Sequence, residues 1–589
     1  FEMIPKSRPH STFKTLFLVL AVTFAGTFCA LIWVRFIPDN IHSSVNPVKF
    51  KKTFSSGHET EEKVNNDDQR TDKKIEDRKT EEEANEKHKT ENEFDADTEE
   101  HMKAFPRLYA KSLKSPLYEK EFPNIKSDPE KQAAIKEAFL HGYRHYSNKC
   151  WGSDEYLPLS DSCGDSIHGG LTIIDSLSTI IIMNLQDEYK KAKEYILNDF
   201  AINGGWSLFE FIIRILGGLL SAAELTGDKD LIKKSISVGE GVWSEVDRNN
   251  GFYNSLCRFN TNRNEADHSL DSYSISCSGG GYCLAEVGTF QLEFYVLSRL
   301  SGDPKFIKTG LKVYDQLWKS NPKQGLISSH LGAGTDSYYE YITKGYVMTG
   351  GISDEMLHRH LLLMKDIRNQ LLFKTANKNL VGHGIKSGSQ PDPMIEHLAT
   401  FVGGMVAVGS VEKNPEHIED LKLAGQFADT YAETYNHFKS GIMPEQVKYN
   451  VNNKDEKTDF KMVVDGYILR PETVESIYYL WKFTGLQKYR DYNWRIFKAI
   501  NKSCRVENGF TSISNLDSEE PSHSNKMESF FFAETLKYLY LTFSDSHLIS
   551  PAEWVFNTEA HPLRVWDQKT IEKYENLFEF ENIKKLSKE

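Results

Sequence analysis

Four apolar runs of helix length in this chain stop on the same punctuation. Leu216–Leu225 ends in Thr226-Gly227-Asp228, Phe290–Leu300 in Ser301-Gly302-Asp303-Pro304, Tyr341–Met348 in Thr349-Gly350-Gly351, and Ile477–Phe483 in Thr484-Gly485. A glycine just past an apolar helix supplies the left-handed residue that closes its C-terminus, and an Asp or Pro beyond it starts the next element. Repeated tens of residues apart, these marks predict stacked helical hairpins over residues 104–589, closed into an α/α toroid or strung out as a solenoid. With 39% hydrophobic and 12% aromatic residues, the chain has the apolar material for a large core. Its formal net charge of −13 argues against a nucleic-acid partner, which would call for basic stripes.

Several carboxylates sit where a purely structural helix would not keep them. Glu210 and Arg214 are four residues apart on one helix face. Such a pair is ordinarily solvated, but the neighbours from Leu208 to Leu216 are otherwise apolar, so this one is expected to be buried. A buried carboxylate costs several kcal/mol unless paired, and one that is kept suggests a chemical task. Asp336 opens an aromatic helix in Thr335-Asp336-Ser337-Tyr338-Tyr339-Glu340-Tyr341, where an Asp could equally serve as an N-cap. In Leu469-Arg470-Pro471-Glu472-Thr473-Val474-Glu475-Ser476 the proline reads as the first residue of a helix. Glu472 and Glu475 there would suit the helix dipole even without a chemical role.

Near the end, Val555-Phe556-Asn557-Thr558-Glu559-Ala560-His561-Pro562-Leu563 reads as a buried strand or hairpin arm with Thr558 and Glu559 at its tip. Thr558 can offer a hydroxyl and a carbonyl from one residue, two hard oxygen donors suited to Ca²⁺.

Together these stretches resemble glycoside hydrolase family 47, the class I α-1,2-mannosidases. The likeness runs from about Tyr143 to Trp566 and includes Met527-Glu528-Ser529-Phe530-Phe531-Phe532-Ala533-Glu534. The resemblance implies an all-α fold, an (α/α)₇ barrel plugged by a C-terminal β-hairpin. It also implies calcium-dependent, inverting removal of terminal α-1,2-linked mannose from high-mannose N-glycans. Carried onto this chain, the family's catalytic carboxylates fall at Glu210 (general acid), Asp336 and Glu472 (base). Thr558 would hold Ca²⁺, with Glu475 near the ion's water shell and Glu534 facing it. Arg214, His397, Arg470, Phe530, Glu559 and, as an additional pocket candidate, Glu286 would contact substrate.

Two departures from the family pattern stand out. Gly334 occupies the position, two residues before the catalytic Asp, where endoplasmic reticulum members that stop after one mannose carry an arginine. Thr400 and Tyr431 stand where the family's usual disulfide is expected. The rival from another class is a mannose-binding lectin of glycoprotein quality control that recognises glycan without turnover.

Residues 15–34, Thr15 to Val34, contain no charge and match the thickness of a bilayer. Lys6, Arg8 and Lys14 precede this run, so a type II signal-anchor is expected, with residues 1–14 cytosolic and the rest luminal. Residues 35–103 read as a charged, solvated stem. They would precede a monomeric catalytic domain in the endoplasmic reticulum or Golgi. In an oxidising lumen, Cys150–Cys163 and a pairing among Cys257, Cys277 and Cys283 are the expected disulfides. Asn501-Lys502-Ser503 is a glycosylation sequon.

Overall fold

A computed structural model describes residues 96–279 and 281–580. The chain divides into a unit spanning residues 1–104, described only over the short helix Ala96–Ala104, and a unit of residues 105–589. The anchor expected at 15–34 and most of the expected stem lie outside the described residues. Among the described residues, no helix is long and apolar enough to cross a membrane.

The larger unit is built of antiparallel helix pairs. In chain order the helices are α1 (Pro129–Lys149), α2 (Leu177–Ile182), α3 (Gln186–Asn198), α4 (Gly217–Thr226), α5 (Lys229–Arg248), α6 (Gln291–Ser301) and α7 (Lys305–Ser320). They continue with α8 (Asp336–Met348), α9 (Asp354–Gln370), α10 (Val402–Val408), α11 (His417–His437), α12 (Glu472–Thr484), α13 (Gln487–Ser503) and α14 (Leu536–Thr542). Each even-numbered helix packs on the odd one that follows it, and α14 packs back on α1. The even-numbered helices also touch one another in sequence, and the turn leading into α14 returns to α2. The ring therefore closes into an α/α barrel. This closure decides between the toroid and the solenoid that the glycine punctuation left open.

The caps fall where the punctuation predicts. Gly227, Gly302 and Gly485 close α4, α6 and α12 in the left-handed conformation, with φ of 72°, 82° and 68°. At the fourth run Thr349 is the cap, and Gly350 and Gly351 both follow with positive φ. The inner helices are apolar on nearly every side because they face neighbours rather than water: all of α4 from Gly217 to Leu225 is buried.

Three strands form a small antiparallel sheet: β1 (Asn203–Ser207), β2 (Leu256–Asn262) and β3 (Ser272–Cys277). Cys257 and Cys277 lie opposite each other in its register and are joined by a disulfide. A second disulfide, Cys150–Cys163, ties the end of α1 to the short hairpin that follows, Glu155–Leu157 with Ser162–Gly164. Cys283 and Cys504 belong to neither.

The C-terminal hairpin, β4 (Trp554–Phe556) and β5 (Pro562–Arg564), packs against the inner helices α4, α6 and α8. Its loop is fixed by one residue above all. Asn557 Oδ1 accepts the backbone N–H groups of Glu559 (3.0 Å) and His561 (2.8 Å). Its Nδ2 donates to the carbonyl of Ile213 (3.0 Å) and to Glu293 Oε1 (2.9 Å). A Cβ at Gly217 would meet that nitrogen at 2.5 Å, so this approach requires glycine. Asn557→Ala removes hydrogen bonds from four buried polar groups and is expected to destabilise the protein by about 2–4 kcal/mol, read as a lower midpoint of urea denaturation.

Candidate active site

The candidate side chains gather at the inner ends of α4, α8, α12 and α14, around the hairpin tip. β1 runs straight into the Glu210 turn, where Ser207 Oγ accepts the Glu210 N–H at 3.4 Å. The next residues, Phe211–Leu216, wind as a π-helix, as do Phe531–Thr535. Such widened turns re-aim side chains and recur at functional sites. Here they carry Arg214 and Glu534, and Phe530 directly precedes the second.

Arg214 is the hub of a buried network. Its Nε donates to Glu210 Oε2 at 2.7 Å, and its Nη1 lies 3.2 Å from Glu559 and 3.7 Å from Asp175. Nη1 also donates to Ser529 Oγ at 3.0 Å, and the guanidinium lies 5.3 Å from the centre of the Phe530 ring. Burial disfavours the arginine's charge, but Glu210, Glu559 and Asp175 outweigh it and hold Arg214 firmly protonated. Asp175 accepts from Ser529 Oγ at 2.5 Å and faces His561 at 3.3 Å, so it fixes the far side of the network.

A second group surrounds Glu472. His397 Nδ1 lies 3.1 Å from its Oε2, and Arg470 Nη1 lies 3.7 Å from its Oε1. His397 is oriented through Nε2 by the Tyr435 hydroxyl (2.7 Å), and Arg470 by Glu445 (2.6 Å). Burial would raise the Glu472 pKa, but the His397 hydrogen bond and the Arg470 charge prevail and hold it below the ordinary value. Leu469, next to Arg470, sits at φ +67°, and its carbonyl accepts from Thr535 Oγ1 at 2.6 Å. Positive φ on a bulky residue is sustained strain of the kind found at functional sites.

Asp336 behaves oppositely. It is the first residue of α8 and is not the N-cap, a position Thr335 fills. Its Oδ1 accepts the Ser337 N–H at 2.9 Å. Burial, then the nearby charges of Glu340, Glu472 and Glu396, push its pKa up to about 7.

Around the hairpin tip, Thr558 Oγ1 donates to Glu340 Oε2 at 2.8 Å. Lys344 bridges Glu340 and Glu475, and the Tyr538 hydroxyl donates to Glu475 at 3.1 Å. Burial and the Glu340 charge raise Glu475 to about 7 despite Lys344. Glu534 and Glu559 are driven well above the carboxylate range by burial; neighbouring carboxylates add to this, although Arg214 opposes the shift at both. Buried carboxylates that repel one another around a hydroxyl are short of positive charge, and hard oxygen donors of this kind suit Ca²⁺. Among the described residues no three His, Cys, Asp or Glu side chains converge closely enough to chelate an ion directly.

Glu286 stands apart from these groups. Its Oε2 accepts the Cys283 N–H (2.8 Å) and the Ser255 hydroxyl (2.7 Å), closing the short turn Leu284–Val287 at the rim. The other sequence-chosen residues are drawn together by the fold. Asp175, Glu340, Lys344, Glu445 and His561 were not singled out from the sequence. A lone Asp in the apolar stretch Leu171–Ile182 was the available signal for the first. A groove of about 500 Å³ on the outer face of α1, beside His141, Arg144 and His145, contains none of these side chains.

The profile of Glycosyl hydrolase family 47 matches residues 138–565. The chain is 36% identical over 455 residues to the mannosyl-oligosaccharide 1,2-alpha-mannosidase mans-2 of Caenorhabditis elegans, covering 73% of this chain and 75% of that protein. It is 35% identical over 467 residues to a mannosyl-oligosaccharide 1,2-alpha-mannosidase of Arabidopsis thaliana, covering 76% and 80%. The solved alpha-1,2-mannosidase of Trichoderma reesei superposes with a TM-score of 0.66 at 27% identity, covering 75% of this chain and all of that one.

Proposed function

Since the chain belongs to glycosyl hydrolase family 47, we propose that it removes terminal α-1,2-linked mannose from high-mannose N-glycans, with inversion and with the help of Ca²⁺. The helix pairs and hairpin correspond in this reading to an (α/α)₇ barrel plugged from its C-terminus. The observation that carries the reading is the opposite treatment of two carboxyls in one pocket. Glu472 is held ionised by His397 and Arg470, while Asp336 keeps its proton up to about pH 7. An ionised carboxylate near a protonated carboxyl gives the site both a proton acceptor and a proton store, which acid–base hydrolysis can draw on.

Inversion requires a water between the sugar and its base, with acid and base roughly 6.5–9.5 Å apart. Glu472 takes the proton of that water. Glu210 delivers a proton to the leaving oxygen through a second water, with Asp336 as a further proton holder. Arg214 and Arg470 fix the carboxylates that flank the sugar, and Phe530 presents a ring to it. Thr558 would hold Ca²⁺ through its hydroxyl and carbonyl, with Glu475, Glu534 and Glu340 lying near the ion's water shell. The ion would supply positive charge that orients the terminal mannose. The disulfides suit an oxidising secretory compartment, in keeping with an anchored luminal enzyme of the endoplasmic reticulum or Golgi.

The test is mannose release from a defined high-mannose glycan, with and without a calcium chelator, following the anomer of the released sugar by NMR. Calcium-dependent appearance of β-mannose is expected. Glycan binding by folded protein without release would overturn the hydrolase in favour of the lectin.

A further inference from the structure

The rim beside Glu210 carries a feature that the chemistry above does not use. Among the described residues, the strongly exposed large apolar side chains include a single aromatic, Tyr282, at 53% exposure. Its ring is backed by Phe252, with centroids 5.6 Å apart. Leu256, 57% exposed, pairs with Ser207 in the sheet, three residues before Glu210.

The backbone on either side of Tyr282 is tied to the catalytic turn. Gly281 O accepts from Ser255 N (2.8 Å), and Ser255 O accepts from Leu208 N at 3.1 Å, within the Glu210 turn. On the other side, Cys283 N donates to Glu286, and Ala285 N donates to Gly334 O at 3.0 Å, two residues from Asp336. An aromatic ring is thus held in water on a fixed loop that joins the Glu210 turn to the Asp336 turn. One face of the ring rests on Phe252, and the apolar face of a pyranose would cover the exposed part.

We propose that Tyr282 is a specificity-determining platform that stacks on a sugar of the glycan beyond the two mannoses joined by the scissile bond. The inference rests on Glu210 as the proton donor, because the residues beside the acid lie on the leaving-group side of the scissile bond.

The test compares wild type, Tyr282→Ala and Tyr282→Phe as full-length protein on methyl α-1,2-mannobioside and on a branched glycan with nine mannoses. For Tyr282→Ala, KM on the branched glycan is expected to rise about 5–30-fold, with kcat little changed and the order of branch trimming altered. KM on the mannobioside should stay at the wild-type value, and Tyr282→Phe should restore the branched-glycan KM. An unchanged branched-glycan KM, or an equal rise on both substrates, overturns the platform. Wild-type protein that cleaves neither substrate overturns the mannosidase reading itself, and this inference with it.

Discussion

Glu472→Gln is expected to lower kcat by about 10²–10⁴-fold while the thermal midpoint moves little. The substitution keeps the shape of the side chain, and its amide oxygen can still accept from His397, with the amide nitrogen taking the position that faced Arg470. What is lost is the capacity to take a proton from water. His397→Ala should act on the same step from behind: without its hydrogen bond, Glu472 is protonated at a higher pH. The acid limb of kcat/KM should then move upward, with a smaller loss at the optimum than in Glu472→Gln. A Glu472→Gln variant with near wild-type kcat would remove Glu472 from the base position, whatever the fate of the fold.

The second large effect concerns stability without the ion. Glu475 and Asp336 titrate at about 7 in the fold, and Glu534 and Glu559 well above the carboxylate range. Each of these groups binds its proton more tightly folded than unfolded. The stability tied to those protons is fully present below the ordinary carboxylate pKa and is lost as pH rises toward 7 and beyond. For Glu475 alone, the rise from 4.5 to about 7 corresponds to about 3 kcal/mol. Chelated protein is therefore expected to melt at a markedly lower temperature at pH 8 than at pH 5.5. Added Ca²⁺, by replacing protons as the positive charge, should restore the melting temperature most at pH 8. A chelated protein whose melting temperature is flat from pH 5.5 to 8 would contradict this account of the hairpin tip.

Much of this site was legible in the sequence because its residues sit beside local signals. Glu210 and Arg214 share a helix face in an apolar run, Glu472 follows a helix-starting proline, and Thr558 lies between two strand arms. The helix ends were legible for the same reason, since a left-handed cap at Gly227 or Gly485 is a short-range demand on one residue. Closure of the ring was not legible, because it depends on α14 meeting helices that precede it by hundreds of residues. Asp175 and His561 escaped because each looks like an ordinary buried polar residue until Arg214 and Ser529 are placed beside it. The two π-helical turns also left no mark in composition; Phe211–Leu216 reads as a plain apolar helix. Glu286 shows another limit, since its neighbours in the sequence do not reveal that its carboxylate accepts from Ser255 and Cys283.

The hairpin also sets a clock on the enzyme's birth. Ser178 and His561, which bond at 3.1 Å, are separated by 383 residues. At about 5–20 residues per second, synthesis needs on the order of 20–80 s to span that interval. Throughout that time Arg214 is without Glu559, Asp175 is without His561, and Thr558 has not been made. A nascent chain can therefore display every helix up to α13 and still possess no floor to its pocket. A product that stops before Asn557 can keep the ring of helices but lacks the tip residues that meet Arg214, Asp175 and Glu340.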